Sequence, residues 1–193
     1  MIERGFQCYR LKERRQVRVL IVNNIEFEHE ILCRLPGEVD EANLVCLCQA
    51  AGYTIHSIAR NLTAPQMMDA VKDLARVEPT PTALLVFVLS HGDDDGISKS
   101  TITMATPQKM ARGAQLRDEH MLLAFATSPG FKAYCDQGLG SYFTSAFVDE
   151  VEKSAHQKDM ETILYEVRCR VAETQQLPTH QPSMTKRFFM LLE

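Results

Sequence analysis

The sequence predicts an α/β fold in three layers, in which a mostly parallel sheet is covered by helices on both faces. The first observation is an uninterrupted apolar run over 83–89, which is the pattern of a strand buried on both faces. The second is the alternation of strand-like and helix-like segments along the chain, as in parallel sheets. The third is size, because 193 residues, 45% of them hydrophobic, suffice for one domain with a sizeable core.

The amino-terminal half alternates between the two kinds of element. We predict a strand over 17–22, a helix over 38–51, a strand over 53–58, a helix that begins after Thr63 and a strand over 83–89. The first helix has acidic residues in its first turn and Gly52 just beyond its end, both typical of helix boundaries. Thr63 and Gln66 have the spacing of a capping box, which places the start of the second helix.

The carboxyl-terminal half is predicted to hold a strand over 119–126, a helix over 141–153, a helix over 159–174 and a strand over 188–192. Phe143, Phe147 and Val151 share one face of the first of these helices. Residues 97–118 have little regular pattern, and we interpret them as a hinge within one domain rather than as a domain boundary. The last strand is apolar, and an exposed apolar edge strand favours a partner.

Composition and charge argue against several classes of function. A net charge of −4 does not suit nucleic acid as the main partner. The longest apolar run is far shorter than the roughly 20 residues that span a bilayer, and the basic amino-terminal arm over 1–16 lacks the apolar run of a signal peptide. We therefore expect a cytoplasmic protein that contacts neither membrane nor nucleic acid.

The six cysteines show no CxxC spacing, so we expect reduced thiols, no disulfide and no metal site. Cys46 and Cys48 in one predicted helix, and Cys169 in another, are interpreted as small buried hydrophobic residues. No GxGxxG or P-loop pattern occurs, which argues against a cofactor and against a flavodoxin-like or nucleotide-binding module.

The most informative motif is the strand over 83–89 that ends in Ser90-His91-Gly92 and runs into an acidic turn. This segment resembles the catalytic-histidine segment of the caspases. Further segments resemble successive landmarks of the same family: the first strand over 19–24, RLPGEVDEANL over 34–44, ATSPG over 126–130 and GSYF over 140–143. The resemblance covers the chain from about Cys8 to Leu192 and implies a caspase-like fold.

The resemblance also implies a domain organisation. Residues 17–96 would form a half like the large caspase subunit, and 119–193 a half like the small subunit, joined by the hinge over 97–118. The family normally carries a central strand that joins the halves, and it leads to the nucleophile. No such strand follows the histidine here. We expect Ile97 to Ala105 to substitute for it, while a different pairing of the last strands and a truncated splice form or gene model remain open.

Caspase chemistry needs a thiolate nucleophile, a histidine that moves protons, N–H groups for the oxyanion and cations that hold a substrate aspartate. By resemblance, His91 would be the base and Gly92 an oxyanion donor. Arg34 would bind the substrate carboxylate, and Tyr134 and Tyr142 would form aromatic walls. A simpler interpretation stays open for each of two residues. Arg34 would then be a surface ion-pair residue, and His91 would be a hydrogen-bonded loop residue at the end of a strand.

The nucleophile motif, Gln-Ala-Cys followed by Arg, Gln or Gly and then Gly, is expected about 50 residues after the histidine. The sequence contains no such segment. Residues 109–113 preserve only Arg-Gly, with alanine at the cysteine position. Cys135 lies at a suitable distance from His91 along the chain, but in the resemblance it occupies the place of a second substrate-binding arginine.

The sequence thus predicts a caspase-like protein that is catalytically inactive and regulates an active caspase by heterodimerisation. It would act as an activator or a decoy, in apoptosis or immune signalling, with another caspase or a caspase regulator as its partner. The strand over 188–192 would form the dimer contact, and a homodimer through it is possible. The alternative is a divergent cysteine endopeptidase that cleaves after aspartate with Cys135 and His91.

Overall fold

A computed structural model describes residues 7–9, 11, 13–27, 34, 36–93, 96–99, 102–103, 120–128, 131–136 and 138–190. Its elements, in chain order, are a 3-10 turn Arg14–Gln16, β1 Val17–Asn23, α1 Gly37–Ala50, β2 Thr54–Arg60, α2 Ala64–Ala75, β3 Ala83–Leu89, β4 His91–Asp93, β5 Gly96–Lys99, β6 Ile102–Thr103, β7 Leu122–Phe125, β8 Cys135–Asp136, β9 Gly140–Ser141, α3 Tyr142–Ser154, α4 Met160–Ala172 and β10 Thr179–Pro182.

The centre of the fold is a parallel sheet in the order β2-β1-β3. β1 lies in the middle and is buried along its whole length except at Arg18. Its register with β3 runs from Val17 opposite Ala83 to Asn23 opposite Leu89, so the two strands end at the same edge. Polar residues that follow these strands are therefore brought close together.

Side chains of β1 alternate between two apolar layers, as the period of a strand requires. Val17, Val19 and Ile21 pack into the larger core with residues of α1, α3 and α4. Leu20 and Val22 face the other side, where they pack with residues of α2. The chain is thus a three-layer α/β sandwich with helices on both faces of a parallel sheet, and the fold predicted from the sequence is confirmed.

Local capping signals place two of the helices. The capping box of α2 is formed, with the Thr63 N–H donating to Gln66 Oε1 at 2.8 Å. Asp159 caps α4 by accepting from the N–H groups of Glu161 at 3.2 Å and Thr162 at 3.3 Å. No helix among the described residues has the length and apolarity to cross a membrane.

The described residues between Ile97 and Thr103 do not enter the central sheet, so the prediction that they substitute for a central strand is wrong for this part. β5 and β6 pair antiparallel with β4 in a separate sheet of their own, and neither pairs with β3. The physical reason is that neighbouring strands joined by short turns pair locally, whereas an added parallel strand needs a crossover connection of a dozen or more residues. Residues 100, 101 and 104–118 of the predicted hinge lie outside the described residues.

The predicted strand over 188–192 is wrong for its described part, because 188–190 belong to no strand and 191–193 lie outside the described residues. Met190 is fully buried in the core, and the Phe188 carbonyl accepts from the N–H of Met160 at the start of α4. The segment is therefore packed against its own domain. The partner of β7 is instead β10, which pairs with it antiparallel. Its sequence, Thr-His-Gln-Pro, has no apolar alternation that would have indicated a strand.

Burial also corrects the interpretation of two cysteines. Cys48 is fully buried as predicted, but Cys46 and Cys169 are exposed. Each lies on a helix of which only one face packs on the core, and both residues fall outside that face. All three thiols are free.

Candidate functional site

The carboxyl end of β1 is bonded to the first turns of α1 through the buried side chain of Asn23. Its Nδ2 donates to the Gly37 carbonyl at 2.8 Å and to Glu41 Oε2 at 2.9 Å. Glu41 also accepts from Arg60, at 2.5 Å from Nη2 and 3.1 Å from Nε. The hydrogen bond from Arg60 lowers the pKa of the Glu41 carboxyl, with a further contribution from Asn23, so the carboxyl stays ionised.

Arg34 and Asp40 form an ion pair at the start of α1. Arg34 Nη2 lies 3.3 Å from Asp40 Oδ2, and the two side chains are 12% and 0% exposed. Burial lowers the pKa of the Arg34 guanidinium, and the nearby Asp40 carboxylate and Cys135 thiol act in the opposite direction. Arg34 is thus a largely buried cation rather than the surface ion-pair residue of the simpler interpretation.

Asp40 also contacts the hairpin formed by β8 and β9. Its Oδ1 accepts from the backbone N–H of Ser141 at 2.7 Å. Gly140 has φ +82, and a Cβ at this residue would collide with Asp40 Oδ1. A glycine is therefore needed here both for the left-handed backbone and for the close approach of the carboxylate.

Cys135 lies on this hairpin, opposite Ser141 in the pairing of β8 with β9, and is exposed. Asp40 links this hairpin to Arg34, because it accepts from the Ser141 N–H and pairs with the guanidinium. The structure therefore brings Arg34 and Cys135 into one cluster, which is the register that the sequence resemblance implied.

The two predicted aromatic residues join the same cluster through the backbone. The N–H of Tyr142 donates to the carbonyl of Tyr134 at 3.2 Å. The N–H of Tyr134 donates to Gln176 Oε1 at 2.9 Å, and Gln176 Nε2 donates to the Ala126 carbonyl at 2.6 Å. Gln176 is fully buried, while Tyr134 is 44% exposed. Tyr134 is therefore held in place by its backbone and presents its ring to solvent.

His91 and Gly92 lie in another hairpin, at the carboxyl end of β3. The imidazole of His91 is exposed, and its ring centroid lies 4.7 Å from that of Phe27. Gly92 pairs with Ile97 between β4 and β5. The preceding Ser90 Oγ is 3.3 Å from Asn24 Nδ2, which also donates to the Leu62 carbonyl.

Sequence reasoning missed two residues of the cluster, Asp40 and Gln176. Asp40 stands within the RLPGEVDEANL segment, so its position in the resemblance was the available signal. Gln176 belongs to no motif, and only its burial and two hydrogen bonds identify it. Across the described part of the chain, no group of three or more histidine, cysteine or acidic side chains is arranged to hold a metal ion.

Comparison with known proteins identifies one family. The model of the Caspase domain family matches residues 16–118 and 95–189, and so reaches nearly all of the chain.

Similar proteins include Caspase A of Caenorhabditis elegans, at 37% identity over 89 residues, which are 46% of this chain and 16% of that protein. Cell death protein 3 of Caenorhabditis remanei is 33% identical over 78 residues, 40% of this chain and 15% of that protein. The matches thus cover about a sixth of each relative's length. The crystal structure of Caspase-1 from Spodoptera frugiperda has a TM-score of 0.80 at 19% identity, covering 100% of this chain and 98% of that one.

Proposed function

Because this chain belongs to the caspase family, we propose that it is a caspase-fold protein without peptidase activity, which regulates an active caspase by forming a heterodimer with it. The observation that carries the proposal is the position of Cys135. Cys135, a weak candidate for the nucleophile, pairs with Ser141 on the hairpin that is bonded to Asp40, and Asp40 pairs with Arg34. The cluster therefore contains a candidate residue for substrate recognition, Arg34. Cys135 occupies the place that a second substrate-binding arginine has in the resemblance.

The sequence around Cys135 supports the absence of peptidase activity. A nucleophilic thiol needs a base within hydrogen-bond reach and a base that is itself oriented. Cys135 lies on β8, in the hairpin with β9, and His91 begins β4 in a different hairpin. The sequence offers no Gln-Ala-Cys segment that would carry a thiol to the end of a central strand.

Recognition of an acidic side chain is supported by a cation in the cluster. Arg34 pairs with Asp40 through Nη2, and its side chain is 12% exposed. A ligand carboxylate that meets the exposed edge of this guanidinium would gain a charge-assisted hydrogen bond. Arg34 thus serves as the cation for an aspartate side chain, with Tyr134 and Tyr142 beside it and Gly92 as a backbone donor near His91.

We place the partner contact at the carboxyl-terminal end of the chain. Caspase domains generally dimerise, and Phe188 and Phe189 are only half-buried although both are large and apolar. The Met160 N–H donates to the Phe188 carbonyl, which holds this segment against the start of α4. The partner would be an active caspase or a caspase regulator, and a homodimer is the alternative occupant of the same surface.

The cellular role that fits these features is control of caspase activity in apoptosis or immune signalling, in the cytoplasm. One of the similar proteins is named Cell death protein 3. Binding to a partner caspase would activate it if the heterodimer favours the active arrangement, and would inhibit it if this chain replaces an active subunit.

The first experiment is an activity assay of the purified chain on fluorogenic tetrapeptides that contain aspartate, alone and mixed with an active caspase. Cys135→Ala and His91→Ala are measured beside the unmodified chain. We expect no turnover by the chain alone, and a changed rate of the partner in the mixture that neither substitution affects. Turnover by the chain alone that both substitutions abolish would establish the alternative, a cysteine endopeptidase that cleaves after aspartate.

The rate at which iodoacetamide alkylates Cys135 distinguishes the proposed function from the endopeptidase alternative. In an endopeptidase, His91 lowers the pKa of Cys135, because a histidine that takes up the proton stabilises the thiolate. Alkylation of Cys135 would then slow markedly in His91→Ala. In the proposed function, the alkylation rate of Cys135 is the same with and without His91.

A further inference from the structure

We propose that Gln176 is a positioning residue, which holds the backbone of Tyr134 so that the ring of Tyr134 stays presented to a ligand. This inference rests on the proposed role of Tyr134 as an aromatic wall of the recognition site. A ligand can reach the ring, because Tyr134 is 44% exposed. Gln176 itself is fully buried and acts only through Tyr134.

The side-chain amide of Gln176 bonds to two separate points of the backbone. Its Nε2 donates to the Ala126 carbonyl at 2.6 Å, and its Oε1 accepts from the Tyr134 N–H at 2.9 Å. Ala126 directly follows β7, and Tyr134 directly precedes β8. The amide is buried, so water does not compete for either contact. One side chain therefore joins the end of β7 to the start of β8.

The backbone of Tyr134 is held on both sides of its Cα atom. Its N–H donates to Gln176, and its carbonyl accepts from the Tyr142 N–H at 3.2 Å. Because both polar backbone groups are engaged, the direction in which the ring leaves the chain is set. The Tyr142 contact is made by two backbone groups, whereas the Gln176 contact depends on a side chain. Gln176 is thus the side chain that controls the orientation of Tyr134.

The segment that carries Gln176 is bonded to the same region by a second contact. The Leu177 carbonyl accepts from Ser128 Oγ at 3.0 Å. The Ser128 carbonyl in turn accepts from the Phe131 N–H at 3.1 Å. A movement of Tyr134 relative to the segment after α4 is therefore opposed at two points, and the amide of Gln176 is a fixed anchor.

Both bonds of Gln176 require an amide of this length. The amide has separate donor and acceptor atoms, and the structure uses one of each. Gln176→Met keeps the length of the side chain and removes both hydrogen bonds. The Tyr134 N–H then loses its acceptor, and its backbone is no longer fixed on the amino side.

The test is a double-mutant cycle on ligand affinity. The ligand is a fluorescein-labelled, amidated tetrapeptide with apolar residues before a final aspartate, and fluorescence anisotropy with the full chain gives its affinity. We expect Tyr134→Ala to weaken binding by about fivefold and Gln176→Met by about threefold, within the range of one aromatic contact. In a chain that already carries Tyr134→Ala, Gln176→Met should have no further effect, because the ring that it positions is gone. A merely structural role would weaken binding by the same factor in both chains.

The remaining variants separate the possible failures. Gln175→Met makes the same change at the adjacent exposed residue and should leave the affinity unchanged. If the unmodified chain does not bind the peptide, or Tyr134→Ala binds it equally well, the proposed role of Tyr134 is wrong and the inference falls with it. If Tyr134→Ala weakens binding and a folded Gln176→Met does not, or weakens it equally in both chains, only the role of Gln176 is overturned.

A second substitution covers the case in which Gln176→Met does not fold. Gln176→Asn keeps the amide but is one methylene too short to span the Ala126 carbonyl and the Tyr134 N–H together. We expect it to weaken binding in the chain with Tyr134 and to have no effect in the chain with Tyr134→Ala. A folded Gln176→Asn with full affinity would overturn the inference.

Discussion

At the scale of single residues, the charge network around α1 depends on buried carboxylates that remain ionised. Glu41 is almost fully buried and accepts from both Arg60 and Asn23, and these donors hold its pKa below the usual value. Cys48 and Tyr53 show the opposite effect, because burial raises the pKa of each to about 12. The same interior therefore keeps the Glu41 carboxylate charged, because donors contact it. It keeps the Cys48 thiol and the Tyr53 hydroxyl neutral, because burial disfavours their charged forms.

Glu41→Gln is expected to lower the free energy of unfolding at pH 7 by about 1–2 kcal/mol, since a charged acceptor of two donors is lost. The depressed pKa of Glu41 means that its contribution is present above the unfolded pKa and is lost as pH falls through the folded pKa. Urea denaturation from pH 7 down to pH 3 measures this, and the gap between the two proteins should close at the acid end. Glu152→Gln, on the exposed face of α3, is the control and should show no gap. A gap that persists at pH 3 would contradict the assignment.

Alkylation of thiols should follow burial. With iodoacetamide at pH 8, the exposed Cys8, Cys46, Cys135 and Cys169 should be modified in the native protein, while Cys48 should react only after unfolding. Mass spectrometry of the digested protein measures each site with and without denaturant. Modification of native Cys48 at the rate of Cys46, its neighbour on the same helix, would show that α1 opens readily.

At the scale of elements, helix starts depend on short-range signals, and longer contacts are then added to them. Asp159 caps α4 through three donors of its own helix, the N–H groups of Glu161 and Thr162 and the Thr162 hydroxyl. It also accepts from Arg187 at 3.1 Å, which ties the segment after β10 to the same helix end. The Asp159 carboxylate thus caps α4 and also binds the segment around Arg187 to the start of that helix.

Asp159→Ala should lower the free energy of unfolding by about 1–2 kcal/mol through loss of the cap. Asp159→Asn is the matched comparison, because asparagine also caps helices but has no charge for Arg187. Since the Arg187 side chain is 43% exposed, the ion pair adds little, and Asp159→Asn should retain most of the stability. Thermal denaturation of the three proteins measures both effects. Equal losses in the two variants would assign the stability to the ion pair instead of the cap.

At the scale of the whole molecule, one core joins both halves of the sequence. Residues of β1 and α1 pack with residues of α3 and α4 in the larger apolar cluster. The polar counterpart of this packing is the Asp40 to Ser141 hydrogen bond, whose partners are 101 residues apart. α1 is thus the element through which the β8 and β9 hairpin is attached to the central sheet.

Gly140→Ala tests this attachment. Its left-handed φ and the collision of a new Cβ with Asp40 should together lower the free energy of unfolding by about 2–4 kcal/mol. Gly138→Ala, in the same turn, is the matched control, because its nearest atom is Asp136 Oδ1 at 3.5 Å, an ordinary contact. Urea denaturation measures both, and the control should stay close to the unmodified chain. Equal stabilities would mean that the hairpin is not attached through Asp40.

The sequence by itself determined the features that depend on neighbouring residues. The apolar run over 83–89 predicted β3, and Thr63 with Gln66 predicted the start of α2, because strand propensity and helix capping are encoded within a few positions. The expectation that β3 is buried on both faces is wrong, since Leu84 and Val86 are each 40% exposed and β3 lies at the end of the described sheet. Arg34 and Cys135 were placed by the order of family-like segments along the chain, and the structure brings them together as that order implied. The roles assigned to Arg34, Cys135, His91, Gly92, Tyr134 and Tyr142 all stay predictions.

Only the tertiary structure decided what depends on distant partners. Ile97 was predicted to enter the central sheet and Phe188 to begin a strand, but pairing is set by which backbone edges meet, and local patterns do not contain that information. Gln176 became visible as a functional candidate only through its burial and its hydrogen bonds to distant residues, and the same kind of contact to Ser141 singled out Asp40 within its segment. The physical reason is that a side chain's hydrogen-bond partners and its exposure to water are fixed when the layers pack, after the local elements are already specified.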